Sequence, residues 1–328
     1  MIKPLFRPFD RFTFNQTSCF LSGENTQIKT NVFPKWLIEA FDLEQKPIKL
    51  LDEGIVNYSD ILLPASEQTL LAMEALENEI SAAALGGYKQ IKEISEIRLF
   101  QWICKWVYGM IHFEIRNGLK QQRASGEAFN FSQTLIHKFS NLHLMLQSLI
   151  RPVEFEGVKP WSILVFPVNN PENTFSYRDE INTLTFSLRM KDFGIIGCLQ
   201  DNGANKTFHK EMLGKLEGKI LHPIQFEEVC GRFFYSSYLF NRLPDYTILP
   251  TEETIFIESM LFYSISGQPL FDAWQNKTYG QVLENFWKPW GYSLFEIIKD
   301  PENPLSFLFS EDNNFIPGNL VENTLNKV

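Results

Sequence analysis

Apolar residues recur at helical spacing between residues 96 and 117, the strongest hydrophobic pattern in the chain. Phe100, Ile103 and Val107 share one face of the predicted helix, and aromatic residues and methionine fill a second face. A helix that is apolar round most of its circumference is typically buried inside a fold. The pattern therefore predicts a central helix over residues 96–117, with Gly118 as its stop.

Helical spacing predicts further helices along the chain. The predicted segments are 35–41, 66–79, 132–150, 207–217, 225–242, 252–264, 269–275 and 278–290. Pro34 comes directly before the first of them, and proline is well tolerated where a helix begins. We expect the last dozen residues to form a tail without regular structure.

The hydrophobic pattern changes over residues 160–200, which are rich in residues typical of β-strands. Three runs, WSILVFPV, NTLTFSLRM and FGIIGCLQ, are separated by turn residues at 169–171 and 191–192. This arrangement predicts at least three antiparallel strands. A shorter alternation over residues 13–20 predicts another strand near the start of the chain.

Composition places the chain among ordinary globular proteins, with 44% hydrophobic and 21% charged residues. No run of eighteen residues lacks a charge, so we expect no membrane-spanning segment. The four cysteines lie far apart without a Cys-x-x-Cys motif, and the first residues do not resemble a signal peptide. We therefore expect a cytoplasmic protein with reduced thiols. Glycine-rich phosphate loops are also absent, and the sequence predicts no cofactor.

Charge is unevenly distributed around a net value of −9. Residues 86–124 carry seven Lys or Arg against three Glu, whereas residues 250–314 carry ten acidic residues against three Lys. Both segments can be explained as solvated helix faces. The alternative is a basic interaction face, which we name the 86–124 basic segment, and an acidic end. The negative total argues against a dedicated nucleic-acid binder, whose surface is usually basic.

Three segments follow one another near the start of the chain. They are CFLSGE at residues 19–24, TNVFPKWL at 30–37 and LPASEQTLLAMEALENEI at 63–80, and VYG follows at 107–109. This frame, over about residues 15–120, resembles a bacterial family related to HNH endonucleases, the ββα-metal nucleases. The resemblance implies a ββα-like module with two Cys-x-x-Cys zinc knuckles and an acidic residue followed by a catalytic histidine.

The residues that this chemistry needs are missing. In the frame of the family, the first knuckle retains Cys19 but has Ser22 as its partner, and a neutral hydroxyl is a poor zinc ligand. The acidic position falls at Thr30 and the general base at Asn31, whose amide cannot take a proton from water. The second knuckle belongs within residues 64–70, which contain no Cys, His or Asn. We therefore expect no catalytic residue and no metal ligand, and these four named residues are interpreted as vestigial.

These observations combine into one prediction of the fold. We expect an α+β protein that is predominantly helical, with a degenerate ββα-like N-terminal module and a larger body. Residues 1–120 would form the HNH-like module with the central buried helix. Residues 121–328 would form a helical body that contains a small antiparallel sheet.

One further polar cluster follows the last predicted strand. Gln200, Asp201 and Asn202 could line a pocket at the end of that strand. The alternative is an Asp-Asn-Gly turn that only connects the strand to the next element, and this is the favoured interpretation because these residues are typical of turns.

Two functions of different classes remain open. The first is a non-catalytic protein that binds an unidentified protein partner on a degenerate nuclease scaffold. The alternative is a nucleic-acid-binding protein or a residual metal-dependent endonuclease that uses the 86–124 basic segment. The net charge and the missing ligands favour the first, so the sequence leans against an enzyme. Binding to phosphates weakens steeply as salt rises, and that dependence would distinguish the two functions.

Overall fold

The computed structural model describes residues 4–51, 53–126, 131–260, 262 and 269–325. In chain order, the elements are β1 (Lys29–Asn31), α1 (Lys35–Ala40), β2 (Pro47–Lys49), β3 (Ile55–Asn57), β4 (Leu62–Pro64), α2 (Glu67–Leu85), α3 (Tyr88–Ile91), α4 (Glu96–Ser125), α5 (Gln133–Leu146), β5 (Val153–Glu156), β6 (Ser162–Pro167), β7 (Ser176–Glu180), β8 (Thr185–Met190), β9 (Phe193–Cys198), α6 (Ala204–Phe208), α7 (Lys210–Leu216), α8 (Pro223–Leu239), β10 (Tyr246–Pro250), β11 (Ile255–Ser259), α9 (Asn276–Trp287), α10 (Leu294–Ile297) and α11 (Gly318–Leu325). Helices account for 44% and strands for 19% of the residues. The fold is therefore mixed α+β.

The chain forms two compact units, each built from separate parts of the sequence. Unit 1 comprises residues 1–85, 93–159 and 243–261, and unit 2 comprises residues 86–92, 160–242 and 262–328. Residue 120, the predicted boundary between the two parts of the chain, lies within α4 of unit 1.

Helix α4 is the buried centre of unit 1. Trp102, Trp106 and Tyr108 on this helix are fully buried, as the apolar pattern predicts. The helix continues past Gly118 and ends at Gly126, whose φ of 78° is the left-handed conformation typical of a helix end. The prediction of a central helix is confirmed over residues 96–117, but the predicted stop is wrong. A single glycine inside a helix costs only about 1 kcal/mol, which is too little to end a packed helix.

Gly109 allows α4 to approach the residues beside β1 and β4 very closely. A Cβ atom at this position would lie 2.9 Å from Val32 Cγ2 and 3.1 Å from Leu63 Cδ1. Larger residues would push the strands away from the helix. The glycine of the VYG motif is therefore a packing residue.

Three short sheets accompany the helices of unit 1. β1 pairs antiparallel with β4, β2 with β3, and β10 with β11, which also pairs parallel with β5. The predicted helix over residues 252–264 is wrong where the structure describes it, because β11 occupies its centre; residues 261, 263 and 264 lie outside the described residues. β11 pairs parallel with β5, about a hundred residues earlier in the chain. The local sequence pattern does not contain this distant partner, so it did not predict a strand.

The predicted strand over residues 13–20 is also wrong. Asn15 Oδ1 accepts hydrogen bonds from Thr17 N at 2.9 Å and Ser18 N at 2.7 Å, which turns the backbone. Only Ser18 forms a β-bridge, with Asn25. An asparagine side chain that binds nearby backbone N–H groups competes directly with strand pairing.

A four-stranded antiparallel sheet in the order β6-β9-β8-β7 forms one layer of unit 2. The three predicted strands are confirmed, and β7 is an additional edge strand. Gly194 on β9 lets Phe226 of α8 pack against the sheet, because a Cβ atom there would lie 2.3 Å from the phenyl ring. Helix α8 in turn contacts α9, and their apolar residues form one continuous core. The final residues are not all an irregular tail, since α11 lies among them and Val321 is buried.

Candidate functional site

Four small polar side chains from two distant turns meet in unit 1. Cys19 Sγ lies 3.3 Å from Thr69 Oγ1, and Ser22 Oγ lies 3.3 Å from Ser66 Oγ. Ser66 Oγ and Thr69 Oγ1 are 3.1 Å apart, and the backbone N–H of Ser22 donates to Cys19 Sγ at 3.5 Å. We name these four residues the 19/22/66/69 cluster. Cys19 and Ser22 form the first pair in sequence, and Ser66 and Thr69 form the second. In each of these two pairs, two residues separate the members.

Local backbone geometry fixes both halves of the cluster. The first pair lies on a turn that is closed by hydrogen bonds from Cys19 N to Glu24 O at 2.7 Å and from Gly23 N to Cys19 O at 3.0 Å. The second pair lies at the start of α2, where Ser66 Oγ accepts from Thr69 N at 3.4 Å, as the residue before a helix often does. The long-range hydrogen bonds then join the turn to the helix start.

The thiol of Cys19 is fully buried in this cluster. Burial by itself raises its pKa, but hydrogen bonds from the side chains of Ser22 and Thr69 and from the backbone of Ser66 and Ser22 lower it, and the net pKa lies below the usual value. Hydrogen bonds to a thiolate favour the charged form. The cluster is therefore organised around the sulfur atom.

The cluster does not fit a zinc ion of the kind that the family resemblance implies. Structural zinc sites use four Cys or His ligands, whereas this cluster offers one thiol and three neutral hydroxyls. The hydroxyl groups also use their hydrogen-bonding capacity on one another. The 19/22/66/69 cluster is a hydrogen-bonded junction.

Thr30 and Asn31 lie on β1, where they pair with Leu63 and Leu62 of β4. The amide of Asn31 is engaged at both ends. Its Nδ2 donates to Tyr58 O at 3.0 Å and to Ser59 O at 2.9 Å, and its Oδ1 accepts from the backbone N–H of Phe33 at 2.9 Å. Asn31 thus ties the start of α1 to a loop of unit 1.

The sequence did not identify Ser66 and Thr69 as site residues, because neutral hydroxyls are not expected as zinc ligands. The available signal was their spacing, because Ser66-Glu67-Gln68-Thr69 repeats the two-residue gap of Cys19 and Ser22. Small hydroxyl residues are common in turns and at helix starts, so this spacing alone is weak.

The 86–124 basic segment does not present all of its cations to solvent. Lys105 is 1% exposed and is paired with Glu77. Arg98 Nε donates to Glu79 Oε2 at 2.7 Å, and Arg116 Nη2 donates to a backbone carbonyl at 2.9 Å. The segment is also divided, with residues 86–92 in unit 2 and the rest in unit 1. Three of its seven cations therefore already have partners within unit 1.

Gln200, Asp201 and Asn202 lie at the turn before α6. Asp201 is buried, and its Oδ2 accepts from Ser162 Oγ at 2.7 Å and from the backbone N–H of Asn205 at 2.9 Å. Burial raises the pKa of Asp201, and these hydrogen bonds partly offset it. Asp201 holds the helix start against β6, and none of the three residues lines the cavity of unit 2 described below.

No protein-family model, curated protein or solved structure matches the chain. Across the described ranges, no group of three or more His, Cys, Asp and Glu side chains is arranged to hold a metal ion. Among the same residues, every helix is too short or too polar to cross a bilayer.

Proposed function

We propose that the protein is a non-catalytic interaction protein whose unit 1 is a degenerate, metal-free form of the ββα-metal nuclease module. The observation that carries this proposal is the 19/22/66/69 cluster. Two pairs with knuckle spacing meet at one point, as the two halves of a zinc knuckle would, and they are joined by hydrogen bonds. The hydrogen bonds take over the structural role of the metal.

The surrounding elements support the same interpretation. β1 and β4 pair antiparallel and α2 follows β4 directly, with α1, β2 and β3 inserted between the two strands in sequence. Asn31, at the position of the nuclease base, lies at the junction between β1 and α1. Its amide holds three backbone groups together, so a structural role has replaced the catalytic one.

The nucleic-acid alternative receives less support from the contacts. Binding to phosphate needs exposed Lys and Arg side chains, and three of the cations in the 86–124 basic segment are already engaged. Lys120 and Arg123, near the end of α4, are exposed and are the cations of unit 1 through which this alternative would act.

The four cysteines are free and buried, as in the proposed reducing compartment.

A plasmid assay tests the proposal. The purified protein is incubated with supercoiled plasmid at low salt with Mg²⁺ or Mn²⁺, and the products are separated on a gel. We expect the plasmid to be neither nicked nor shifted. Nicking that Asn31→Ala abolishes would contradict the proposal.

A double variant separates the two functions. The double variant is Lys120→Glu with Arg123→Glu. A plasmid shift that salt weakens and that this variant abolishes would replace our proposal with the nucleic-acid alternative. Affinity capture from the native host, followed by measurement of the stoichiometry of the captured complex, is the positive arm. A partner protein in a fixed ratio is the expected result.

A further inference from the structure

Unit 2 contains an open cavity of about 880 Å³. It lies between α7, α8, the start of α9 and the segment 300–313, and all of these belong to unit 2. A volume of this size is typical of a site for a small organic molecule or a short peptide. The cavity lies within unit 2 alone, so what it binds is independent of the function proposed for unit 1.

Aromatic side chains form one wall of the cavity, which we name the aromatic wall and define as Phe208, Trp274 and Tyr279. The ring centroids of Trp274 and Tyr279 are 4.8 Å apart, and Phe208 stacks with Trp274 at 6.2 Å and 23°. Tyr235 supports Trp274 from behind at 4.6 Å. These contacts hold the indole in place, so the wall is preorganised for an apolar group.

Arg232 is a fixed cation in the cavity. Its Nε and Nη2 donate to Glu228 Oε1 at 3.3 and 2.9 Å, and its Cζ lies 5.3 Å from the centre of the Tyr279 ring. Glu228 is fully buried and also accepts from Ser306 Oγ at 2.8 Å and Phe307 N at 2.7 Å, which fixes the ion pair.

The remaining edge of the Arg232 guanidinium is available for a ligand. Among the described residues, Nη1 makes no hydrogen bond, while 24% of the side chain is exposed. Five N–H groups in a planar fork suit a carboxylate, and two of them are on Nη1. The free edge therefore indicates an oxygen acceptor on the ligand.

Tyr279 provides a second donor. It is 3% exposed, and its hydroxyl has no hydrogen-bond partner in the described part of the chain. Burial raises the pKa of Tyr279, the positive charge of Arg232 lowers it, and the negative charge of Glu228 raises it. The net shift of the pKa is upward, so the hydroxyl keeps its proton. A buried hydroxyl without a partner is unfavourable, and an acceptor on a ligand would remove that penalty.

The charges around the cavity limit what that ligand can be. Four carboxylates line the cavity, from Glu211, Asp300, Glu302 and Glu311, against the two cations Lys215 and Arg232. Arg232 is already paired with Glu228 and Lys215 with Glu211, so a multiply charged anion would be repelled. A ligand with one carboxylate and one positive group fits these charges. Its carboxylate can accept hydrogen bonds from the free donors, and its positive group can face the carboxylates that line the cavity.

We propose that this cavity binds a zwitterionic ligand, either a free amino acid or a short peptide, that has one carboxylate, one ammonium group and an apolar side chain. The carboxylate accepts from Arg232 Nη1 and the Tyr279 hydroxyl. The apolar side chain lies on the aromatic wall, and the ammonium group faces the carboxylates of Asp300 and Glu302.

Isothermal titration calorimetry of the full chain tests this assignment with two probes, L-phenylalanine and the dipeptide alanyl-phenylalanine. Both are zwitterions, but their charges are differently separated. We expect at least one of them to bind at millimolar concentration or below. Binding of only the first assigns a free amino acid, and binding of only the second assigns a peptide. If neither binds at concentrations up to about 10 mM, the proposal is overturned.

Variants connect the binding to the named groups. Tyr279→Phe removes only the hydroxyl, and we expect about fivefold weaker binding with an equal or higher thermal midpoint. Arg232→Lys keeps the charge but removes the fork, and we expect a loss of about tenfold or more. Tyr292→Phe, a tyrosine of unit 2 outside the cavity lining, is the matched control and should bind as the native chain does.

Two outcomes would contradict the model of the site even when a probe binds. One is unchanged affinity in both Tyr279→Phe and Arg232→Lys. The other is equal affinity for L-phenylalanine amide, which lacks the carboxylate. Because Tyr279→Phe is nearly isosteric, the test does not depend on a variant that fails to fold.

Discussion

At the scale of single residues, unit 1 uses polar side chains to hold backbone segments in place. Asn31 makes three hydrogen bonds to backbone groups, and Ser66 accepts from the first turn of α2. Each such bond contributes about 1 kcal/mol, but a buried backbone group left without a partner costs more. A polar side chain can therefore be indispensable for stability alone.

The change Asn31→Ala tests this role. We expect it to lower the free energy of unfolding by about 2 kcal/mol, because three backbone groups lose their partner at once. Urea denaturation measures the difference. Asn78→Ala, at an exposed position on α2, is the control and should change the stability by less than about 0.5 kcal/mol. An equal effect of the two changes would contradict a structural role for Asn31.

Lys105 gives a second prediction at this scale. Its ammonium group is buried beside Glu77; burial lowers the pKa of Lys105, and the charge and hydrogen bond of Glu77 raise it, with a net lowering. Glu77→Gln leaves an unpaired buried cation, so we expect a loss of about 3 kcal/mol. Adding Lys105→Met to that variant should restore most of the stability, because methionine needs no partner. The double-mutant cycle is measured by urea denaturation, and additive effects would argue against the pair.

At the scale of elements, unit 1 depends on a turn and a helix start that lie 44 to 50 residues apart in sequence and meet in the 19/22/66/69 cluster. The sequence identified Cys19 and Ser22 through a resemblance, but it did not identify Ser66 and Thr69. Hydroxyl residues at a helix start have a sufficient local explanation as caps, so only the fold reveals their long-range partners.

The cluster can be tested by restoring thiols. In tetrahedral zinc sites with Zn–S distances of about 2.3 Å, neighbouring sulfur atoms are about 3.8 Å apart. The cluster contacts of 3.1 to 3.3 Å are close to that separation. We therefore expect the triple variant Ser22→Cys, Ser66→Cys and Thr69→Cys to bind one Zn²⁺ and to gain thermal stability from it.

The measurement is the visible absorption of Co²⁺ bound in place of Zn²⁺, followed by displacement with Zn²⁺. The native chain and the double variant Ser22→Cys and Ser66→Cys, with three thiols at the cluster, are the controls and should bind more weakly. A folded triple variant without a tetrahedral Co²⁺ spectrum would remove the main support for the proposal that unit 1 is a degenerate ββα-metal nuclease module.

The errors in the predicted elements have two different origins, one long-range and one local. Residues 252–264 were predicted as helix, yet β11 forms there because β5 offers a parallel partner and β10 an antiparallel one. Residues 13–20 alternate as a strand would, but Asn15 turns the chain. Long helices such as α4 and α5 were predicted well because their hydrogen bonds are local and their apolar periodicity extends over several turns.

At the scale of the whole molecule, histidines are buried as neutral side chains in both units. Burial, with smaller contributions from nearby positive charges, lowers the pKa of His112 and His143 in unit 1 to about 3. Burial also lowers the pKa of His209 in unit 2 to about 4. The unfolded chain therefore binds protons near pH 6.5 that the folded chain does not accept.

The sign of the resulting pH dependence follows from linkage. A folded-state pKa below the unfolded value of 6.5 gives stability that is present above pH 6.5 and is lost as pH falls toward the folded pKa. Each of these three histidines should lower the free energy of unfolding by about 1 kcal/mol between pH 6.5 and 5.5.

The variant His112→Leu isolates one of these contributions. His112 packs among Phe14, Phe20 and Tyr108, so an apolar side chain of similar size suits the site. Relative to the native chain, the variant should gain about 1 kcal/mol between pH 6.5 and 5.5. Urea denaturation at the two pH values measures this difference, and parallel pH profiles would show that His112 does not titrate on unfolding.

The sequence by itself determined the mixed α+β class, the central buried helix and three strands of the sheet in unit 2. It could do so because apolar periodicity is a local property of the chain. Only the tertiary structure decided that the 19/22/66/69 cluster is joined by hydrogen bonds, and that Arg232, Trp274 and Tyr279 line one cavity. Those arrangements depend on contacts between distant segments, and the spacing of residues along a chain does not encode the distances between them in the fold.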